Sequence, residues 1–148
     1  MALNFFCVRY NSDGLRTILR EVIQQVANPD LLTLGTLAAE KSVIVTTLQL
    51  GAEGEQWRPV ILHNLPTPDA DAEFGIHTLA VDAALCTSAA PIFFPPHKHP
   101  QLGFCADGGL FANNPGMAAL VKAMQAGHTR ENLRLLSIGT GSKLRSTV

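Results

Sequence analysis

Charge is scarce in this chain: Asp, Glu, Lys and Arg together make up 16% of its residues, and the formal net charge is −1. The Lys and Arg residues are scattered rather than clustered, so the electrostatic footprint of a nucleic-acid-binding protein is lacking and no nucleic-acid partner is expected. Cysteine is sparse too. Cys7, Cys86 and Cys105 cannot all pair internally and show no Cys-x-x-Cys spacing, which reads as a reduced compartment without a disulfide framework or a structural metal site. No apolar run approaches the ~18 residues of a transmembrane helix. The apolar residues 1–7 are few and meet Arg9 and Tyr10 without the layout of a signal peptide. A cytoplasmic or peripheral-membrane location follows, with secretion left open should a removed leader precede the chain. Internal repeats and low-complexity tracts are lacking as well. With 47% hydrophobic residues over 148 positions, the chain reads as one ordinary domain with a real core rather than a disordered segment.

What is present is periodic. Leu15, Ile18, Leu19, Val22, Ile23 and Val26 recur at helical spacing, predicting one buried stripe on a surface helix capped by Ser12 or Asp13. Asn28-Pro29-Asp30 stops that helix, and residues 31–39 read as a short helix or a loop. Residues 41–50 and 59–63 are rich in β-branched side chains and read as strands joined by a turn at 51–56. Residues 64–75, with Pro66, Pro68 and several acids, read as a mobile surface loop, and 77–86 as a helix ending near Thr87-Ser88. Prolines between 91 and 100 imply irregular backbone. Cys105-Ala106 reads as an extended segment, residues 115–125 as a helix closed by Gly127, and residues 133–138 as a strand. Alternating strands and helices with near-continuous apolar strands indicate an α/β fold with a largely buried sheet.

The stretch Asp107-Gly108-Gly109-Leu110-Phe111-Ala112-Asn113-Asn114-Pro115 carries the chemistry. It sets one carboxylate on a glycine turn, with little side-chain bulk to block close approach by another group. Asn114 suits an N-cap and Pro115 the first helical position, where its missing N–H costs nothing. Alone, Asp-Gly-Gly is a weak motif, because Asp-Gly is a frequent turn.

Two further segments sharpen it. Together with residues 107–115, Thr87-Ser88-Ala89-Ala90-Pro91 and Ser137-Ile138-Gly139-Thr140-Gly141 resemble, in order and spacing, the later part of a patatin-like phospholipase domain. The resemblance covers nearly the whole chain. It implies a three-layer α/β/α sandwich, here N-terminally incomplete, with residues 1–148 forming a single partial domain. It also implies a serine–aspartate dyad, in which the Ser of a Gly-x-Ser-x-Gly elbow attacks an acyl ester and the Asp of Asp-Gly-Gly acts as base. A glycine-rich loop supplies oxyanion donors in that scheme. By match of motif Asp107 is the proton acceptor, with Gly108 and Gly109 shaping its turn. The chain holds no Gly-x-Ser-x-Gly: the nearest approach, around Ser12 and Gly14, has Tyr10 where the first Gly should stand. The oxyanion glycine loop is missing too.

The resemblance therefore implies the C-terminal portion of a lipid acyl hydrolase of phospholipase A type, inactive alone, acting on a lipid or acyl-ester substrate with no metal or organic cofactor. The alternative is a non-catalytic interaction or regulatory module derived from that domain. A missing segment would carry strands of the sheet, so an open, apolar sheet edge is expected, suited to self-association or to the missing N-terminal segment.

Other candidates rank lower. Ser88 lies in a family motif but is not the family's nucleophile, and Ser137 and Ser142 show no partner base. Gly139-Thr140-Gly141-Ser142-Lys143 fails the phosphate-loop spacing. His97-Lys98-His99 is a chelating pair without a third ligand at recognisable spacing, and reads as a solvent-facing loop. Phe93 and Phe94 read as core anchors, with an acyl-chain pocket or peripheral membrane contact as alternatives. Met117, Leu120, Val121 and Met124 form a helical stripe assigned to the core. Trp57 carries no functional signal.

Overall fold

A computed structural model describes residues 8–37, 41–51 and 56–139. Among them lie five α-helices and one four-stranded sheet, in the order α1 (Asp13–Gln24), β1 (Ile44–Gln49), β2 (Arg58–His63), α2 (Ala70–His77), α3 (Ala80–Thr87), β3 (His97–His99), β4 (Gly103–Asp107), α4 (Gly109–Ala112) and α5 (Gly116–Gln125). The strand order is β2-β1-β4-β3, and every pairing is antiparallel.

Register explains where the core sits. Thr47 lies opposite both Val60 and Asp107, and side chains alternate along each strand, so Val60, Leu62 and Cys105 share the Asp107 face. There they pack with Ala83 and Cys86 of α3, with Leu34 and Leu102, and with Phe74 of α2. Burial of each large aliphatic side chain is worth about 1.5–3 kcal/mol. On the other face Leu50 and Ala106 meet Leu110 of α4. Helices thus flank both faces, as expected of an α/β sandwich.

Strands 41–50 and 59–63, the extended segment before Asp107 and helix 115–125 form where the sequence places them: the first strand is trimmed to β1, β2 gains Arg58, the extended segment lengthens to β4, and α5 starts one residue later. The 51–56 turn falls largely on residues outside those described.

Several expectations are corrected. The 64–75 loop contains most of α2. Asp69 is extended (φ −118°, ψ 156°) and its carboxylate accepts the Ala72 N–H at 3.0 Å, so an N-cap signal was hidden behind Pro66 and Pro68. The expected 77–86 helix is interrupted: Thr78 and Leu79 are extended, and Leu79 bridges to Thr33. Gly75 lets α2 lie on β2, because a Cβ there would overlap the His63 backbone. Residues 97–99 form β3 inside the expected irregular stretch, with His97 and His99 buried. Helix α1 has no fully buried residue, and Ser12 makes no side-chain capping bond. Residues 133–138 carry no strand pairing among the described residues, and Leu135, Leu136 and Ile138 are exposed. Met117, Val121 and Met124 of the α5 stripe face solvent and Leu120 is half-buried, while Lys122 is the helix's buried residue.

Candidate active site

Asp107 is the last residue of β4, and the chain turns at once into α4. Its side chain closes that turn: Asp107 Oδ1 accepts the Gly109 N–H at 2.7 Å. Among the described residues Oδ2 accepts no hydrogen bond, which leaves one carboxylate oxygen free for a proton. The backbone beneath is fixed from two sides. The Asp107 N–H donates to the Ala89 carbonyl at 3.0 Å, and the buried Thr47 hydroxyl donates to the Ala106 carbonyl at 2.8 Å. Gly108 presses against β1, where an added Cβ would overlap the Thr46 carbonyl. A side chain is excluded there by close approach rather than by dihedral angle, since its φ is −65°.

The two sequence motifs meet in space. The 87–91 segment ends α3 and supplies, through Ala89, the acceptor that holds Asp107. Ser88 Oγ is engaged elsewhere, donating to the Ala84 carbonyl at 2.7 Å. Ile92 takes φ 74°, an uncommon and strained conformation for a β-branched residue. Its carbonyl and that of Phe93 accept the Arg9 and Tyr10 N–H groups at 2.9 Å, and the Tyr10 and Phe94 ring centroids are 5.8 Å apart. Phe93 is exposed rather than a core anchor. Phe94 joins Leu50, Trp57, Pro91, Ala106 and Leu110 around an almost wholly apolar cleft of about 250 Å³. Trp57, silent in the sequence, is therefore part of the surface beside the Asp107 turn. Its position after a turn gave no periodic signal to find it by.

Asn114 Oδ1 accepts the Gly116 N–H at 3.0 Å, but the N-cap of α5 is Pro115, which makes no side-chain capping bond, so the expected Asn114 cap is displaced by one residue. Asn114 Nδ2 donates to Ser137 Oγ at 3.0 Å, drawing the third motif segment toward the second. Ser142 lies outside the described residues.

His97 and His99 have structural partners. His97 Nε2 lies 3.0 Å from Asp82 Oδ1, and that hydrogen bond, against the opposing effect of burial, holds the Asp82 carboxyl below its usual range. His99 Nδ1 accepts the Gln101 and Leu102 N–H groups at 3.2 Å, and its Nε2 lies 2.9 Å from Thr78 Oγ1. Burial lowers the His99 pKa. These contacts correct the solvent-facing loop reading. Among the described residues no three His, Cys, Asp or Glu side chains converge to hold a metal ion. Cys86 and Cys105 are buried, and their mutual hydrogen bond together with burial pushes the Cys86 thiol up, which suits packing rather than nucleophilic chemistry. Among the described residues no helix is long and apolar enough to cross a membrane.

Comparison with known proteins adds the family. The patatin-like phospholipase family model matches residues 9–120. The chain is 32% identical over 134 residues to a cGAMP-activated phospholipase of Pseudomonas aeruginosa, covering 89% of this chain and 36% of that protein. It is 31% identical over 137 residues to a protein of the same name from Escherichia coli, covering 88% and 35%. It is 27% identical over 157 residues to Patatin-like protein 4 of Arabidopsis thaliana, covering 95% and 35%. The chain spans about a third of the length of these curated relatives. No solved structure matches it.

Proposed function

The chain belongs to the patatin-like phospholipase family, and from that premise we propose that it is the aspartate-bearing part of a lipid acyl hydrolase. On this reading residues 1–148 are a single partial domain, N-terminally incomplete, that contributes the base of a Ser–Asp dyad while the serine comes from outside these residues. The observation that carries it is the Asp107 carboxylate, pinned through Oδ1 by the Gly109 N–H and, among the described residues, accepting no hydrogen bond at Oδ2, within the matched region. The relatives' name, phospholipase, supports a lipid ester as substrate.

The chemistry uses one acid–base group twice. As the serine oxygen attacks the acyl carbonyl carbon, its proton passes to Asp107 Oδ2. The proton then goes to the departing alcohol as the ester C–O bond breaks, leaving an acyl-enzyme. Water repeats the sequence: Asp107 takes its proton, the hydroxyl attacks the acyl carbon, and the proton returns to the serine oxygen as the fatty acid leaves. A single fixed rotamer serves both halves.

The test is fatty-acid release from phospholipid vesicles by the chain joined to a Gly-x-Ser-x-Gly segment. Asp107→Asn is expected to lower kcat by about 10²–10⁴-fold with an unchanged circular dichroism spectrum. Full activity of that variant would remove Asp107 from the chemistry. A second reading, a non-catalytic interaction module, is favoured by the solvent-facing apolar side chains of α5. It predicts that joining the serine segment restores no hydrolysis at all.

A further inference from the structure

One carboxylate ties α5 to α2 beside the end of β2. Asp69 Oδ1 accepts the Ala72 N–H at 3.0 Å, and Oδ2 accepts the Thr67 hydroxyl at 2.8 Å and Lys122 Nζ at 2.9 Å. His63, the last residue of β2, is fully buried next to it. Its Nε2 lies 3.3 Å from Asp69 Oδ1 without the geometry of a hydrogen bond. The charged groups facing this ring are Lys122 of α5, Asp69 at the cap of α2 and Asp71 within α2. Asp71 is already committed, since its Oδ1 accepts Arg58 Nη1 at 3.0 Å and its Oδ2 the Ile61 N–H at 3.1 Å. A neutral ring fits such a site, and burial, followed by the Lys122 charge, holds its pKa below the ordinary value. A charged ring does not fit, because two cations would then share the Asp69 carboxylate away from water.

We propose that His63, Asp69 and Lys122 form an acid-operated latch: a proton taken from water by His63 turns the Asp69 carboxylate from Lys122 to the imidazolium, and α5 is released while the sheet and its core stay folded. Geometry decides which cation yields. His63 is fixed in β2 by its pairing with Ile44, and α2 lies so close above it that a Cβ on Gly75 would overlap the His63 backbone. The Lys122 side chain is 11% exposed, and its flexible stem can turn the ammonium out to water. Lys122 is also the one fully buried residue of α5 among the described residues, whereas the sheet is held by Val60, Leu62 and Cys105 in the core. Release returns the ring to water and to its ordinary value of 6.5, so opening takes up a proton. The latch is closed above that value and weakens below it by at most about tenfold per pH unit. His128, beyond the end of α5, acts with the opposite sign, because a cation there favours the helix dipole. Since α5 leads back through Pro115 and Asn114 to the Asp107 turn, opening frees the far side of that turn. The latch itself stands whether or not Asp107 is a catalytic base.

The experiment is amide hydrogen exchange of the full chain at about pH 7.5 and about pH 5.5, on either side of the ordinary His value, with rates corrected for the intrinsic effect of pH. Protection of residues 117–125 is expected to fall at least about 10-fold relative to β1 and β4. In His63→Gln the α5 protection should stay level over the same range. In Lys122→Met it should be low already at the higher pH and insensitive to acid. The His63 ring of Lys122→Met, followed by its imidazole nitrogen resonances, should titrate at higher pH than in the parent, because the opposing cation is gone. That titration reads the coupling independently of whether His63→Gln folds. Equal loss of protection in α5, β1 and β4 would mean global acid unfolding and would overturn the latch. So would loss centred on α2, acid sensitivity of α5 that survives in His63→Gln, or a His63 titration unmoved by Lys122→Met.

Discussion

At the residue scale, the Asp107 turn is built by exclusion as much as by attraction. Gly108 is required because the Thr46 carbonyl occupies the space of a Cβ, so Gly108→Ala is expected to cost about 1–3 kcal/mol by overpacking, read as a lowered urea midpoint. An unchanged midpoint would mean that β1 yields freely. Two buried histidines set the response to acid. His63 is lowered by burial and then by the Lys122 charge, and His99 by burial. Below the ordinary His value of 6.5 the unfolded chain binds protons that the folded rings refuse. Stability present above that value is therefore lost as pH falls toward the folded pKa values, by at most about 1.4 kcal/mol per pH unit for each ring. Urea unfolding should show a flat midpoint between roughly pH 7 and 8 and a falling one toward about pH 5, a window set by the His reference value. A midpoint that rises on acidification would contradict the sign. The Asp107 turn was legible in the sequence, since turn chemistry is local, whereas the start of α5 falls one residue beyond the expected Asn114 cap. The burial of His63 against α2 was not, because it depends on how closely Gly75 lets two distant elements approach.

Elements were legible in proportion to how far they are specified by their own residues. Strands β1, β2 and β4 announced themselves by β-branched or apolar runs. Helix α2 was obscured by Pro66 and Pro68, although Pro68-Asp69 followed by Asp71 and Glu73 is a helix-start signal in its own right. Strand β3 hid among prolines, and nothing local to His97-Lys98-His99 specifies a partner in β4. The α5 stripe had the right period and the wrong destination: period tells which residues share a face, and only packing tells what covers it. The link that holds α5 is Lys122 to Asp69, whose carboxyl is pushed up by burial but brought net well down by hydrogen bonds from Lys122, Thr67 and the Ala72 N–H. Asp69 is a third exposed, so Lys122→Ala should cost only about 1 kcal/mol of global stability after solvent screening. Its clearer signature should be faster amide exchange confined to α5. Uniform acceleration through β1 and β4 would instead make Lys122 part of the global core.

At the scale of the whole molecule, one face of the sheet is closed by α2 and α3 around Val60, Leu62 and Cys105, while α5 and residues 133–139 keep most of their large apolar side chains in solvent. The resemblance to the later part of a patatin-like domain anticipated that imbalance as an open sheet edge. Among the described residues the exposed apolar side chains lie instead on α5 and on residues 133–139. The proposal to be tested is that this chain holds the base and that its serine arrives on another segment. Treatment with a fluorophosphonate probe, read by intact mass and peptide mapping, tests that most directly. The chain alone should take up no adduct. With the serine-bearing segment added, one adduct should form on the Gly-x-Ser-x-Gly serine, at a rate that Asp107→Asn lowers by about 10²-fold or more. A stoichiometric adduct on a serine of the chain by itself, lost in Asp107→Asn, would contradict the account and name the nucleophile it overlooked.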